Sequence, residues 1–242
     1  MRTSNPVLKD DVFASAESFA PGQAMTIPGV VNKSLILLVL LMISAMLVWN
    51  APIAQAMPFV IGGAIAGLIF AVVTMFKKEW AGFTAPGYAL CEGLVLGGVS
   101  SFFELRFPGI VMQAVALTFG TLFCLLMAYK TGFIRVTEKF RLGVVVATSA
   151  ICLVYFVSFI LGFFHIAVPF MVGSSLVSIG FSLFVVGIAA LNLVLDFDFI
   201  EQGAQAGAPK YMEWVGAFGL MVTLVWLYFE ILKLLAKLRG RD

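Results

Sequence analysis

Seven acidic residues lie within or at the ends of strongly apolar stretches: Glu92, Glu104, Asp196, Asp198, Glu201, Glu213 and Glu230. A carboxylate at the centre of a bilayer costs at least about 2.5 kcal/mol, so acids in such surroundings are candidates for handling protons or cations. Asp196 and Asp198 are two residues apart, about 200° around a helix, and cannot share a face. Asp198 and Glu201 do share one, which sends them toward headgroups and cytoplasm and turns Asp196 into the helix bundle. Glu230 ends a stretch, Trp214–Phe229, that has no charged residue. Its helix face also carries Thr223, Lys233 and Lys237, so an ion pair with Lys233 near an interface is its plain structural reading. Glu104, two residues before Arg106, reads as interfacial. Glu92 stands about one turn into its apolar run, and an interfacial place and a cavity-lining place are equally open to it.

No enzymatic constellation accompanies these acids. His165 is the only histidine, and no glycine-flanked nucleophile motif surrounds Ser174 or Ser175. An intramembrane aspartyl protease needs two facing aspartates, and the natural partner of Asp196 is a glutamate. No phosphate-binding glycine loop or metal-ligand cluster occurs, so no cofactor is expected. Cys91, Cys124 and Cys152 lie singly in apolar runs and read as small packing residues.

The elements that must position the acids follow from composition. The chain has 242 residues, 62% hydrophobic and 12% charged, with a mean hydropathy of +1.07. A soluble domain carries roughly 25% charged residues, so most of this surface must face lipid, and long continuous apolar runs select helices over a barrel. Residues 1–33 read as a polar tail, with Pro6, Pro21 and Pro28 breaking helices. Residues 34–238 read as a seven-helix transmembrane domain, with runs at 34–49, 56–76, 87–103, 110–129, 142–164, 175–199 and 214–232, each near the roughly 20 residues that cross a bilayer. The Ala54-Gln55-Ala56 sequence resembles a signal-peptidase site, but the long polar leader favours an uncleaved first span. Gly63 with Gly67, and Gly93 with Gly97, read as helix contacts, and Ser174, Ser178 and Ser182 as a polar ridge on the sixth helix.

The basic residues favour an amino terminus on the cytoplasmic side. Seven crossings then put Lys233, Lys237, Arg239 and Arg241 outside. A re-entrant last helix would leave 14 basic residues inside against 1 outside. The last run is long enough to span, and seven crossings are expected. The net charge of +2 gives no reason to expect nucleic acid as a partner.

The segments Leu195-Asp196-Phe197-Asp198-Phe199-Ile200-Glu201 and Leu227-Tyr228-Phe229-Glu230-Ile231-Leu232 resemble the Bax inhibitor family of membrane proteins. So do Glu92-Gly93-Leu94-Val95-Leu96-Gly97, Pro108-Gly109-Ile110-Val111 and Gln113-Ala114. The likeness is closest to a bacterial branch, which implies the cytoplasmic (inner) membrane. It implies six helices around a central seventh and a pH-sensitive calcium or cation leak. The gate would be a carboxylate pair between helices six and seven, at Asp196 and Glu230, where calcium could bind transiently. Glu213 is the substitute partner, with Asp198 and Glu92 as further candidates. Depth counting complicates the pairing: a hairpin turning near Gly207 sets Asp196 opposite about residue 218, nearer Glu213 than Glu230. Two carboxyls sharing a proton would pin the helices, and deprotonation would push them apart or admit a cation. The competing readings are a non-conducting regulator that binds a second membrane protein, such as a protease or a cell-death factor, and a proton-coupled carrier for a small solute.

Overall fold

The structure is a computed structural model that describes residues 24–164 and 173–240. The expectations for residues 1–23 of the tail, and for His165, fall outside the described residues. Each of the seven apolar runs forms a helix: α1 (Ile27–Trp49), α2 (Ile53–Phe76), α3 (Ala81–Arg106), α4 (Ile110–Lys130), α5 (Glu138–Phe163), α6 (Leu176–Gln205) and α7 (Met212–Arg239), with a single 3₁₀ turn at Lys78–Trp80. All seven are long and apolar enough to cross a membrane, and the chain is an all-α seven-helix membrane protein.

α1 and α5 begin before their apolar runs, each with a threonine capping its first turn. Residues 27–33, which the sequence reading assigns to the tail, are the first two turns of α1. Thr26 caps this helix by accepting the Gly29 N–H at 3.1 Å, and Pro28 sits in the first turn. There a missing N–H costs nothing, because first-turn N–H groups have no partner within the helix. Thr137 caps α5 in the same way through the Phe140 N–H at 3.2 Å. Gly207, at φ 66°, closes α6 in the left-handed conformation that glycine adopts without strain.

The described residues divide into two compact units. One comprises the chain to Val99 with Asp198–Met221; the other comprises Ser100–Phe197 and the chain from Val222. In the first unit α3 lies close to α1 and α2. A Cβ added at Gly97 would collide with the Ala45 carbonyl of α1, and one at Gly93 with Ser44 Oγ and the Leu41 carbonyl. On the α2 side, a Cβ at Gly63 would lie 2.7 Å from the Cys91 carbonyl. Gly63, Gly93 and Gly97 are therefore close backbone contacts, as helix packing in a membrane favours, whereas a Cβ at Gly67 would meet only side-chain atoms, at 3.5 Å or more. Thr74 and Thr84 share a buried hydrogen bond of 2.7 Å between α2 and α3. Of the three cysteines only Cys91 is partly buried; Cys124 and Cys152, expected as packing residues, are exposed.

In the second unit Asn192 of α6 donates to Thr148 Oγ1 of α5 at 2.8 Å, and the hydroxyls of Ser100 and Tyr228 share a buried hydrogen bond of 2.6 Å. Arg239 near the end of α7 donates to the Pro108 carbonyl at 2.7 Å and to Gln113 at 3.0 Å. α7 is the most buried of the seven helices: 67% of its most apolar stretch is buried, against 11–33% for the other six. It is continuous over 28 residues, about 42 Å at 1.5 Å per residue. The last helix therefore has the length to span rather than re-enter. Near its end, Lys233, Lys237 and Arg239 are engaged in protein contacts.

Candidate functional site

The α6–α7 hairpin sets the depth of the acids. Two cross-helix contacts fix its register in the second unit: the Thr223 hydroxyl hydrogen-bonds the Asp196 carboxyl, and Lys237 Nζ donates to Ser182 Oγ at 2.8 Å. Both centre the hairpin between residues 209 and 210, beyond Gly207, because α6 runs on to Gln205. The level of Asp196 on α7 is thus Thr223 and not residue 218. Within the second unit Glu230 stands seven residues from that level, about 10.5 Å along the axis. The depth count is corrected from residue 218 to Thr223. At that offset Asp196 and Glu230 do not share a proton in this conformation.

Asp196 is half-buried as a residue, yet its Oδ2 is enclosed and has no hydrogen-bond partner among the described residues. Its other polar contact is the Thr223 hydroxyl. Native proteins seldom leave a buried carboxylate oxygen unpaired.

Glu230, 2% exposed, is in contrast saturated. Tyr155 of α5 donates its hydroxyl to both carboxylate oxygens at 3.0 Å. Lys233 Nζ lies 2.6 Å from Oε1, and Trp226 Nε1 lies 3.3 Å from the same atom. The Lys233 ammonium also stands 4.9 Å from the centre of the Tyr155 ring, which packs at right angles to Phe181 of α6. Toward the end of α7, Lys237 reaches Ser182 Oγ and, at 3.4 Å, the Ser178 carbonyl. Ser182 and the Ser178 carbonyl of α6 are the seat of this lysine; Ser174, expected on the same ridge, precedes the helix, and Ser178 Oγ is buried without a partner among the described residues.

The remaining acids are tied in local structure. Glu213, in the first unit and fully buried, accepts from Thr26 N and Thr26 Oγ1, both at 2.9 Å. It pairs with Lys33 and, at 2.9 Å, with Lys210; Lys33 also lies 5.4 Å from the Trp214 ring centre. Glu213 thus pins the start of α1 to the start of α7. Glu92 is half-buried in α3, takes a hydrogen bond from Tyr88, and lies beside Gly67 of α2. Asp198 accepts from Gln202 at 2.6 Å and Glu201 from Gln205 at 3.2 Å, each one turn along α6. Glu104 caps the α3–α4 turn, accepting the Gly109 and Val111 N–H groups.

Among the described residues no three His, Cys, Asp or Glu side chains gather at one point. A hard cation here would meet one carboxylate and neutral oxygens, a donor set for brief occupancy rather than tight binding. The partners Trp226 and Tyr88 stand at i−4 from Glu230 and Glu92 and were readable from spacing. Tyr155 was not, because only the packing of α5 on α7 brings it in.

A family model described as Bax inhibitor 1 like matches residues 5–240, nearly the whole chain. No curated protein and no solved structure gives a significant match.

Proposed function

The chain belongs to the Bax inhibitor 1 like family, and from that premise we propose that it is a pH-sensitive cation leak, with calcium as its ion. Asp196 and Glu230 are the carboxyl groups on the cation's route, Glu92 and Asp198 are flanking acids, and Glu213 serves as an anchor. The protein resides in a bacterial cytoplasmic membrane with its amino terminus inside, as the loop charges favour.

The observation that carries this reading is the enclosed, unpartnered Oδ2 of Asp196 inside a membrane-spanning helix. An ionised oxygen so placed is costly. A proton removes that cost and so does a cation, so one site responds to both. With its proton, Asp196 is neutral and its helix rests on Thr223. Without it, the charge draws in a cation or a rearrangement of α6 against α7. Two turns along, Glu230 offers the next carboxylate. The expected sign is a conductance that rises with pH as protons leave.

The test is calcium entry into dye-loaded proteoliposomes between pH 5 and pH 8, for wild type, Asp196→Asn and Glu230→Gln. The reading expects flux above protein-free vesicles, rising with pH, with the dependence removed by either substitution. Flux that ignores both acids overturns the assignment of the site. A purified protein that conducts nothing at any pH overturns the leak itself and leaves the non-conducting regulator as the better reading. Saturable flux with a fixed proton stoichiometry identifies a carrier.

A further inference from the structure

We propose that the Lys233 ammonium is a tethered cation that occupies the Glu230 carboxylate and competes with any free cation for it. This inference deepens the leak reading and rests on it for its physiological meaning.

Glu230 is buried, its side chain 3% exposed, whereas the Lys233 side chain is 41% exposed. Lys233 therefore reaches a protected carboxylate from its less buried side. At 2.6 Å its Nζ is within ordinary hydrogen-bonding distance of Oε1, where an incoming cation would also have to bind. The ring of Tyr155 lies 4.9 Å from the ammonium, and its hydroxyl lies 3.4 Å from Nζ and 3.0 Å from both carboxylate oxygens. This arrangement supplies a favourable face for a cation whether it is tethered or free.

The charges around Glu230 sharpen the competition. Tyr155 comes from α5, Trp226 and Lys233 from α7, and one further turn along stands Lys237, held by Ser182 and the Ser178 carbonyl of α6. Two ammonium groups and one carboxylate leave an excess positive charge at this end. A monovalent ion gains little by displacing an ammonium of the same charge. A divalent or trivalent ion has the larger Coulomb attraction to the carboxylate and displaces the ammonium more readily. Lys233 thus acts both as a plug and as a filter on ion charge. A lysine present only to neutralise Glu230 would equally form this ion pair, and the experiment separates the two roles.

The probe is Tb³⁺, a calcium-like ion whose luminescence is sensitised by nearby aromatic rings; Trp226 and Tyr155 both touch Glu230. Purified full-length protein is titrated with Tb³⁺ as wild type, Lys233→Met, Lys233→Arg and the double variant Lys233→Met/Glu230→Gln. Methionine keeps much of the aliphatic stem and removes the charge. The proposal expects Lys233→Met to lower the half-saturating Tb³⁺ concentration by about tenfold, the factor set by ~1.4 kcal/mol of lost competition. Lys233→Arg should stay at or above the wild-type value, and the double variant should lose the gain. Equal half-saturation in wild type and Lys233→Met, or a gain that survives loss of Glu230, overturns it.

If Lys233→Met is not recovered folded, Lys233→Gln carries the same comparison, since its amide can still donate to the buried carboxylate. Tb³⁺ binding needs no conductance. Absence of flux in wild type therefore counts against the leak, while an unchanged titration counts against Lys233.

Discussion

Replacing Glu213 by Gln should remove the charge that holds the start of α1 to the start of α7. The wild-type carboxylate is fully buried and meets two ammonium groups and two Thr26 donors. Glutamine can still accept from Thr26, but it leaves Lys33, whose side chain is 17% exposed, without its anion. Removing one partner of a buried ion pair costs about 3–5 kcal/mol. The Lys210 side chain is 51% exposed, which opens the cluster to water and favours the lower end, about 3 kcal/mol. For a chain of this size that corresponds to a fall of about 6–12 °C in Tm. Lys210→Met removes an exposed partner and should cost at most about 1 kcal/mol. The assay is thermal unfolding in detergent, followed by loss of the monodisperse peak on size exclusion. The reasoning is refuted if Glu213→Gln melts with wild type, or if Lys210→Met is as damaging as Glu213→Gln.

Other outcomes follow from the same contacts. Gly97→Ala should overpack α3 against the α1 backbone and lower stability by about 1–3 kcal/mol. Gly120→Ala, where an added Cβ meets nothing within 4 Å, should leave the melting temperature unchanged or slightly raised. Tyr228→Phe should cost about 1–2 kcal/mol in the same melting assay, because it leaves Ser100 buried with its hydrogen bond lost. An alkaline phosphatase reporter fused after Asp242 should be active, since seven crossings from an internal amino terminus end outside; inactivity there contradicts that topology.

The spans were legible because twenty apolar residues in a row leave few alternatives, and every run became a helix. The ends were less so. Pro28 read as a breaker, but in the first turn of α1 it is compatible with the helix, and the cap at Thr26 carries the start back to Ile27. The acids were found by type and spacing alone, and the Glu230–Lys233 ion pair could be read from an i, i+3 interval. Depth was harder to read, since it depends on where a helix stops. Six more residues of α6 beyond Phe199, with a turn centred past Gly207, moved the level of Asp196 from residue 218 to Thr223. The roles of Thr26 and Lys33 at Glu213, and of Tyr155 at Glu230, lie 187, 180 and 75 residues away along the chain. No local pattern encodes such contacts.

The central claim is that the Asp196 carboxyl is the proton-sensitive element of a cation path. The most direct measurement is a pH jump from 5 to 8 on calcium-indicator-loaded proteoliposomes, comparing wild type with Asp196→Asn at equal protein density. The account predicts a rise in calcium entry after the jump in wild type and a flat trace, at either level, in Asp196→Asn. A variant that responds to the jump as wild type does would contradict it.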